Sequence, residues 1–243
     1  MEFAPERALV ITPHPDDAEM WAGGTIAKWV KAGADVHYVL CTDGGKGTDD
    51  PEVTSEELVE IRSREQMAAA EILGVSNVVM LGRPDGELED AADFRKELVR
   101  QIRLVKPDVV LTTEPYRRNM QWHRDHRIAG QVALDAVFPY ARDHLHFGDL
   151  FLNEGIEPHK TAAIWFWGSE NPNVFVDVAD ALDAKLAAVM AYRSQTRGRS
   201  EAEMEGFVRA RAEQNAEIGN ASGEEDVTGL ALAEAFRRVT FRT

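Results

Sequence analysis

An α/β fold, with a mostly parallel sheet flanked by helices, is the architecture this sequence predicts. Three observations point to it. Short, β-branched, nearly unbroken apolar runs recur along the chain, as strands buried on both faces of a parallel sheet require. Helical patterns alternate with them at the spacing of right-handed βαβ units. The 243 residues suit one large core, which grows to roughly 250–300 residues before chains divide. No stretch is rich enough in Pro, Gly or Ser to act as a linker. Residues 1–243 therefore read as a single domain with extra helices at the C-terminal end.

The elements follow in order. Strands are expected over 7–12, 35–41, 77–81 and 108–113. The first intervening helix, 18–32, carries Trp21, Ile26, Trp29 and Val30. The second, 55–73, opens on Ser55 before a Glu-rich first turn and stops at Gly74, which fits a left-handed C-terminal cap. The third, 91–105, ends before Pro107. Beyond 113, residues 126–138, 179–193 and 200–218 read as helical. Residues 162–167 and 175–178 read as strands, and a last amphipathic stretch covers 229–237. Trp165-Phe166-Trp167 can build either the core or the interface of a homo-oligomer. Residues 43–56 and 194–200 read as loops, the first placed to cover the same cleft or simply to lie on the surface.

Composition excludes several classes. A formal net charge of −15 argues against a nucleic-acid backbone or an anionic membrane as partner. Cys41 is the only cysteine, so an internal disulfide and a thiolate zinc site within one chain are both ruled out. The first residues lack a basic segment followed by an apolar one, and no apolar run approaches the ~18 residues of a membrane span. A cytoplasmic protein is expected. Gly44-Gly45-Lys46-Gly47-Thr48 lacks the order of a phosphate loop, and no G-x-S-x-G elbow is present.

Two clusters carry the chemistry. His14-Pro15-Asp16-Asp17 follows the first strand, and His123-Arg124-Asp125-His126 follows the fourth. Polar clusters where buried strands end are where open α/β sheets bind ligands. His14 and Asp17, three apart across a turn, can converge on one ion while Asp16 points elsewhere. The spacing of His123 and His126 puts both imidazoles on one side of a helical turn. Asp16 or Asp17 can alternatively cap the helix at 18–32, and His123 and His126 can be a solvated pair at a helix start. If the clusters meet, they supply two imidazoles and a carboxylate for a divalent metal, with a spare carboxylate and imidazole for proton transfer. Zinc binds such donors and keeps a position for water. The resulting chemistry is metal-assisted hydrolysis.

Taken with Glu19, Gly23-Gly24, Thr42-Asp43-Gly44, Arg62, Glu65, Pro84-Asp85-Gly86 and Arg127, these motifs resemble the LmbE-like/PIG-L family of zinc-dependent N-acetylglucosaminyl deacetylases over residues 7–135. That resemblance implies a Rossmann-like fold. It implies His14, Asp17 and His126 as zinc ligands, with iron(II) or another divalent metal able to take the same donors. Asp16 would be the general base, His123 the oxyanion stabiliser and general acid, and Asp125 the group that orients His123. Arg62, Asp43 and Arg118 are the expected substrate-binding residues, and Trp122 can stack on a sugar. The expected reaction removes the acetyl group from an N-acetylated amino sugar. An amidase acting on a larger conjugate and a non-catalytic ligand-binding module are the alternatives. Ala18 separates Asp17 from Glu19, and the loop 116–122 departs from that of the thiol-biosynthesis members.

Overall fold

The computed structural model describes residues 4–119, 123–222 and 227–242. In chain order its elements are β1 (Arg7–Thr12), α1 (Asp17–Lys31), β2 (Asp35–Thr42), α2 (Ser55–Leu73), β3 (Asn77–Arg83), α3 (Ala92–Val105), β4 (Val109–Thr113), α4 (Arg124–Val137), α5 (Gly148–Leu152), β5 (Ala163–Trp167), β6 (Val174–Asp177), α6 (Leu182–Met190), α7 (Arg193–Thr196), α8 (Glu201–Ala221) and β7 (Ala233–Thr240). The seven strands form one sheet in the order β3-β2-β1-β4-β5-β7-β6. The first five run parallel, and β7 is antiparallel to both its neighbours. Strand order reverses direction between β1 and β4, the Rossmann-type switch point.

Period-two alternation divides the apolar strands between two cores. Ala8 and Val10 of β1, Leu111 of β4, and Trp165 and Trp167 of β5 enter one core with Trp29 of α1 and Phe236 of β7. Leu9, Ile11, Val110, Ile164 and Phe166 enter the other, beneath α3 and α4. Trp165-Phe166-Trp167 is therefore core on both faces, not an exposed interface. The rings of Trp29 and Trp165 meet edge-on at 5.3 Å.

Local rules account for the helix ends. Thr54, one residue before the expected Ser55, forms a reciprocal capping box with Glu57 at the start of α2. Gly74 ends that helix at φ 74°. Ser200 and Glu203 repeat the capping box on α8. The helix expected over 179–193 divides into α6 and α7. The amphipathic stretch at 229–237 is not one of the C-terminal helices; most of it is strand β7, which sits between β5 and β6. Its Ala- and Glu-containing sequence favours helix locally, and two flanking strands override that weak preference.

Candidate active site

The first cluster occupies the turn from β1 into α1, and the second the turn from β4 into α4, so the switch point brings them together. Rings of His14 and His123 lie 4.6 Å apart, and those of His14 and His126 5.2 Å apart. Asp17 Oδ2 is 3.2 Å from both His14 Nδ1 and His126 Nε2. The opposite nitrogen of His14, Nε2, is 3.1 Å from Asp85 and from Asp125. Ligand atoms of His14, His123 and His126 also come within 4.8 Å of one another, so His123 stands at the rim of the same centre.

Electrostatics separate the roles of these groups. Burial disfavours charge on His14, but hydrogen bonds to Asp125, Asp17 and Asp85 outweigh it and raise the imidazole to about 11. Burial also opposes ionisation of Asp17, yet His126 and His14 hold it well below the ordinary carboxylate range. Asp85 is drawn down to about 2 against its burial, chiefly by His14. Burial and the charge of Asp17 instead push Asp16 up to about 8, with Arg62 pulling the other way. Burial, then the neighbouring His14 and His126, lower His123. Asp17, Asp85 and Asp125 thus crowd one imidazole, and among the described residues Arg62 pairs with Asp16 beside them. Two imidazole nitrogens facing a shared carboxylate oxygen, in surroundings short of positive charge, fit a divalent metal with nitrogen and oxygen ligands.

The backbone aims Asp16 away from its helix. It sits at the N-cap position of α1 with φ 88°, a left-handed conformation rare outside glycine, and its side chain makes no capping hydrogen bond. Its side chain stays 29% exposed and lies 3.4 Å from Arg62 Nη2. Asp17 does not cap either; Oδ2 accepts the His14 backbone N–H.

One expectation needs correction, and the three expected substrate-binding residues have contacts of their own. The Asp125 carboxylate faces His14 rather than His123, and accepts N–H groups from Gly86 and Leu88. What holds His123 is the backbone N–H of Asp125, which donates to His123 Nδ1. Arg62 is buried and donates to Gly44 O at 2.9 Å and Pro15 O at 2.6 Å, so it braces the turn that carries Asp16. Asp43 Oδ1 accepts the N–H groups of Gly45 and Asp85, which places it behind the site as a support for Asp85. Arg118 is exposed, its backbone N–H bonded to Glu170, while its neighbour Arg117 is buried against Thr113. Trp122 lies outside the described residues.

Asp85 was the residue without an assigned role. Its signal was modest: a Pro-Asp-Gly turn directly after a strand. The loop at 43–56 is tied to the segment 194–197 by Gln195 bonding Gly47 O and Arg197 pairing with Asp49, so both loops form one rim.

The family model described as GlcNAc-PI de-N-acetylase (PIG-L) matches residues 9–137. A diacetylchitobiose deacetylase of Thermococcus kodakarensis is 40% identical over 190 residues, 78% of this chain and 70% of that protein. The solved N,N'-diacetylchitobiose deacetylase of Pyrococcus horikoshii superposes with a TM-score of 0.86 at 32% identity, covering 97% of this chain and 84% of that one. A 4-carboxy-2-hydroxymuconate hydratase of Pseudomonas putida superposes at 0.80 with 23% identity, covering 98% of each chain, and shares the fold alone.

Proposed function

Because the chain belongs to the PIG-L family of de-N-acetylases, we propose that it hydrolyses the acetamide of an N-acetylated amino sugar, N-acetylglucosamine or a conjugate of it. The observation that carries this reading is the convergence of His14, Asp17 and His126 beside a carboxylate, Asp16, and an imidazole, His123, that neither of those contacts consumes.

His14, Asp17 and His126 are the residues that would hold the metal, with zinc the best fit to the donors. Bound there, it would supply Lewis acidity and a water more acidic than bulk. Asp85 and Asp125 fix the ring of His14 from its far side, as carboxylates behind a ligating imidazole do. Asp16, turned out of its helix and reachable by solvent, accepts the proton of the attacking water. His123 accepts at Nδ1, which leaves Nε2–H to hydrogen-bond the carbonyl oxygen, and the proton taken up by Asp16 passes to the departing nitrogen. The C–N bond breaks, the acetyl group leaves as acetate with the water's oxygen, and the sugar keeps a free amine.

Acetate release from N-acetylglucosamine conjugates, with metal content measured alongside, tests the reading. Asp16→Asn is expected to retain metal and lose about 10²–10⁴ in turnover. Near wild-type turnover in that variant, or a protein that binds no divalent metal, would overturn it.

A further inference from the structure

The cavity of about 470 Å³ beside α8 has Asp16 in its wall and belongs to the proposed reaction centre. A second concavity, a groove of about 910 Å³ between α2 and β3, does not: no residue of that centre lines it. The groove lies at one edge of the sheet. Strand β3 is the first of the seven and pairs with β2 alone, so its outer row of N–H and C=O groups has no strand to bond. Natural edges are usually blunted by charge, proline, shortness or a bulge. Asn77 to Leu81 hold no charge and no proline, and the register shift in this pairing comes after Met80. The opposite edge, β6, has four residues and ends on Asp177. Val78 and Met80, two apart on one face of β3, line the groove with Met67, Ala68 and Ala70 of α2. Met67 is 51% exposed and Met80 37%. Apolar side chains beside an open, uncharged edge are an aggregation hazard unless something covers them.

Two charges indicate what covers them. Arg64 and Glu71 bracket Met67 on α2 and line the same groove. Seven residues apart, they lie on one side of the helix, ~10 Å apart along its axis. Both are exposed, and among the described residues neither side chain has a hydrogen-bond or ion-pair partner. A two-fold axis normal to the sheet, passing beside Met67 and Ala68, reverses a second α2, so Arg64 of each copy meets Glu71 of the other. The same axis sets a second β3 antiparallel to the first, with the two open edges facing. These two requirements coincide in height. Only Gly74, Val75 and Ser76 join α2 to β3. Met67 and Ala68 lie ~8 Å back along α2 from that junction, and Val79 and Met80 lie ~8 Å forward along β3. A single operation therefore pairs the free charges, buries the methionines and closes the edge.

We propose that the α2–β3 edge is a two-fold interface between copies of this chain, joining two seven-stranded sheets into one across β3. The proposal is independent of the reaction assigned to the cleft. Sedimentation velocity over a wide range of protein concentration tests it. Wild type should dimerise, reaching twice the chain mass. Arg64→Glu and Glu71→Arg should each raise the dimer dissociation constant about tenfold or more, because each sets like charges opposite one another at both symmetric contacts. Combining them restores opposite signs and should return the constant to near the wild-type value, a recovery that misfolding would not give. Met80→Lys, which puts a charge on the strand edge, should leave monomers whose outward-facing β3 amides lose their protection from hydrogen exchange. A wild type that stays monomeric, or an assembly that the single variants leave unchanged, overturns the proposal. So does a combined variant that associates no more tightly than the single ones.

Discussion

The imidazole of His14 is fixed by groups from three turns: Asp17 on one nitrogen, Asp85 and Asp125 on the other. Asp85→Asn should therefore weaken metal affinity about 10–100-fold with the fold intact, measured by competition with a chromophoric chelator. Wild-type affinity would remove Asp85 from this role. A different behaviour is expected of Glu19, fully buried in the first turn of α1, where Tyr192 Oη donates to it at 2.9 Å and Gln66 at 3.3 Å. Burial raises this carboxyl to about 7 against those hydrogen bonds. A folded-state value above the unfolded one means that its contribution is complete at low pH and lost as pH rises through about 7. Unfolding free energy should decline across that window, and Glu19→Gln should flatten the decline; an identical slope in the variant would refute the assignment. At this scale the two His/Asp clusters were legible because each is local in sequence. The partners of Asp125, Arg62 and Asp43 were not, because their contacts are made by turns distant along the chain.

Between elements, the joint of most consequence is the one made by β7. Glu234, on this strand, accepts the N–H groups of Gly24 and Thr25 from α1 and pairs with Lys185 of α6 at 2.6 Å, with both side chains buried. This carboxylate ties the antiparallel end of the sheet to the helix whose first turn supplies Asp17. Glu234→Ala should cost about 3–5 kcal/mol, because it strands a buried ammonium as well as losing the pair. Adding Lys185→Met should recover part of that loss in a denaturant double-mutant cycle, and strict additivity would show that the two residues do not interact. Strands β1, β4 and β5 were readable as apolar runs because both of their faces are buried. Strand β7 was not, since its pairing on both sides, not its composition, makes it a strand.

For the whole molecule, the proposed site is a clasp across the switch point: the turns after β1 and β4 each bring proposed ligands, and the turn after β3 closes over His14. Metal should consequently stabilise the entire fold. At a free concentration a hundred times its dissociation constant, zinc should add about 2.7 kcal/mol, or roughly 5–10 °C in Tm for a chain of this size. A chelator should remove that increment and restored zinc should return it. A Tm insensitive to both would contradict the ligand assignment. Fold class and the meeting of the two clusters followed from strand–helix alternation. The cavity beside α8 did not, because it is assembled from helices whose mutual packing no local pattern encodes.

The left-handed backbone of Asp16 bears on how this protein would evolve under selection for heat resistance. A residue with a side chain is strained there by about 1–3 kcal/mol, and glycine is not. Asp16→Gly relaxes the turn while deleting the carboxylate proposed as the base. A laboratory campaign that screens for survival at high temperature alone would therefore be drawn toward an inert protein. Thermal robustness and turnover compete for the same codon, so activity must be scored in every round.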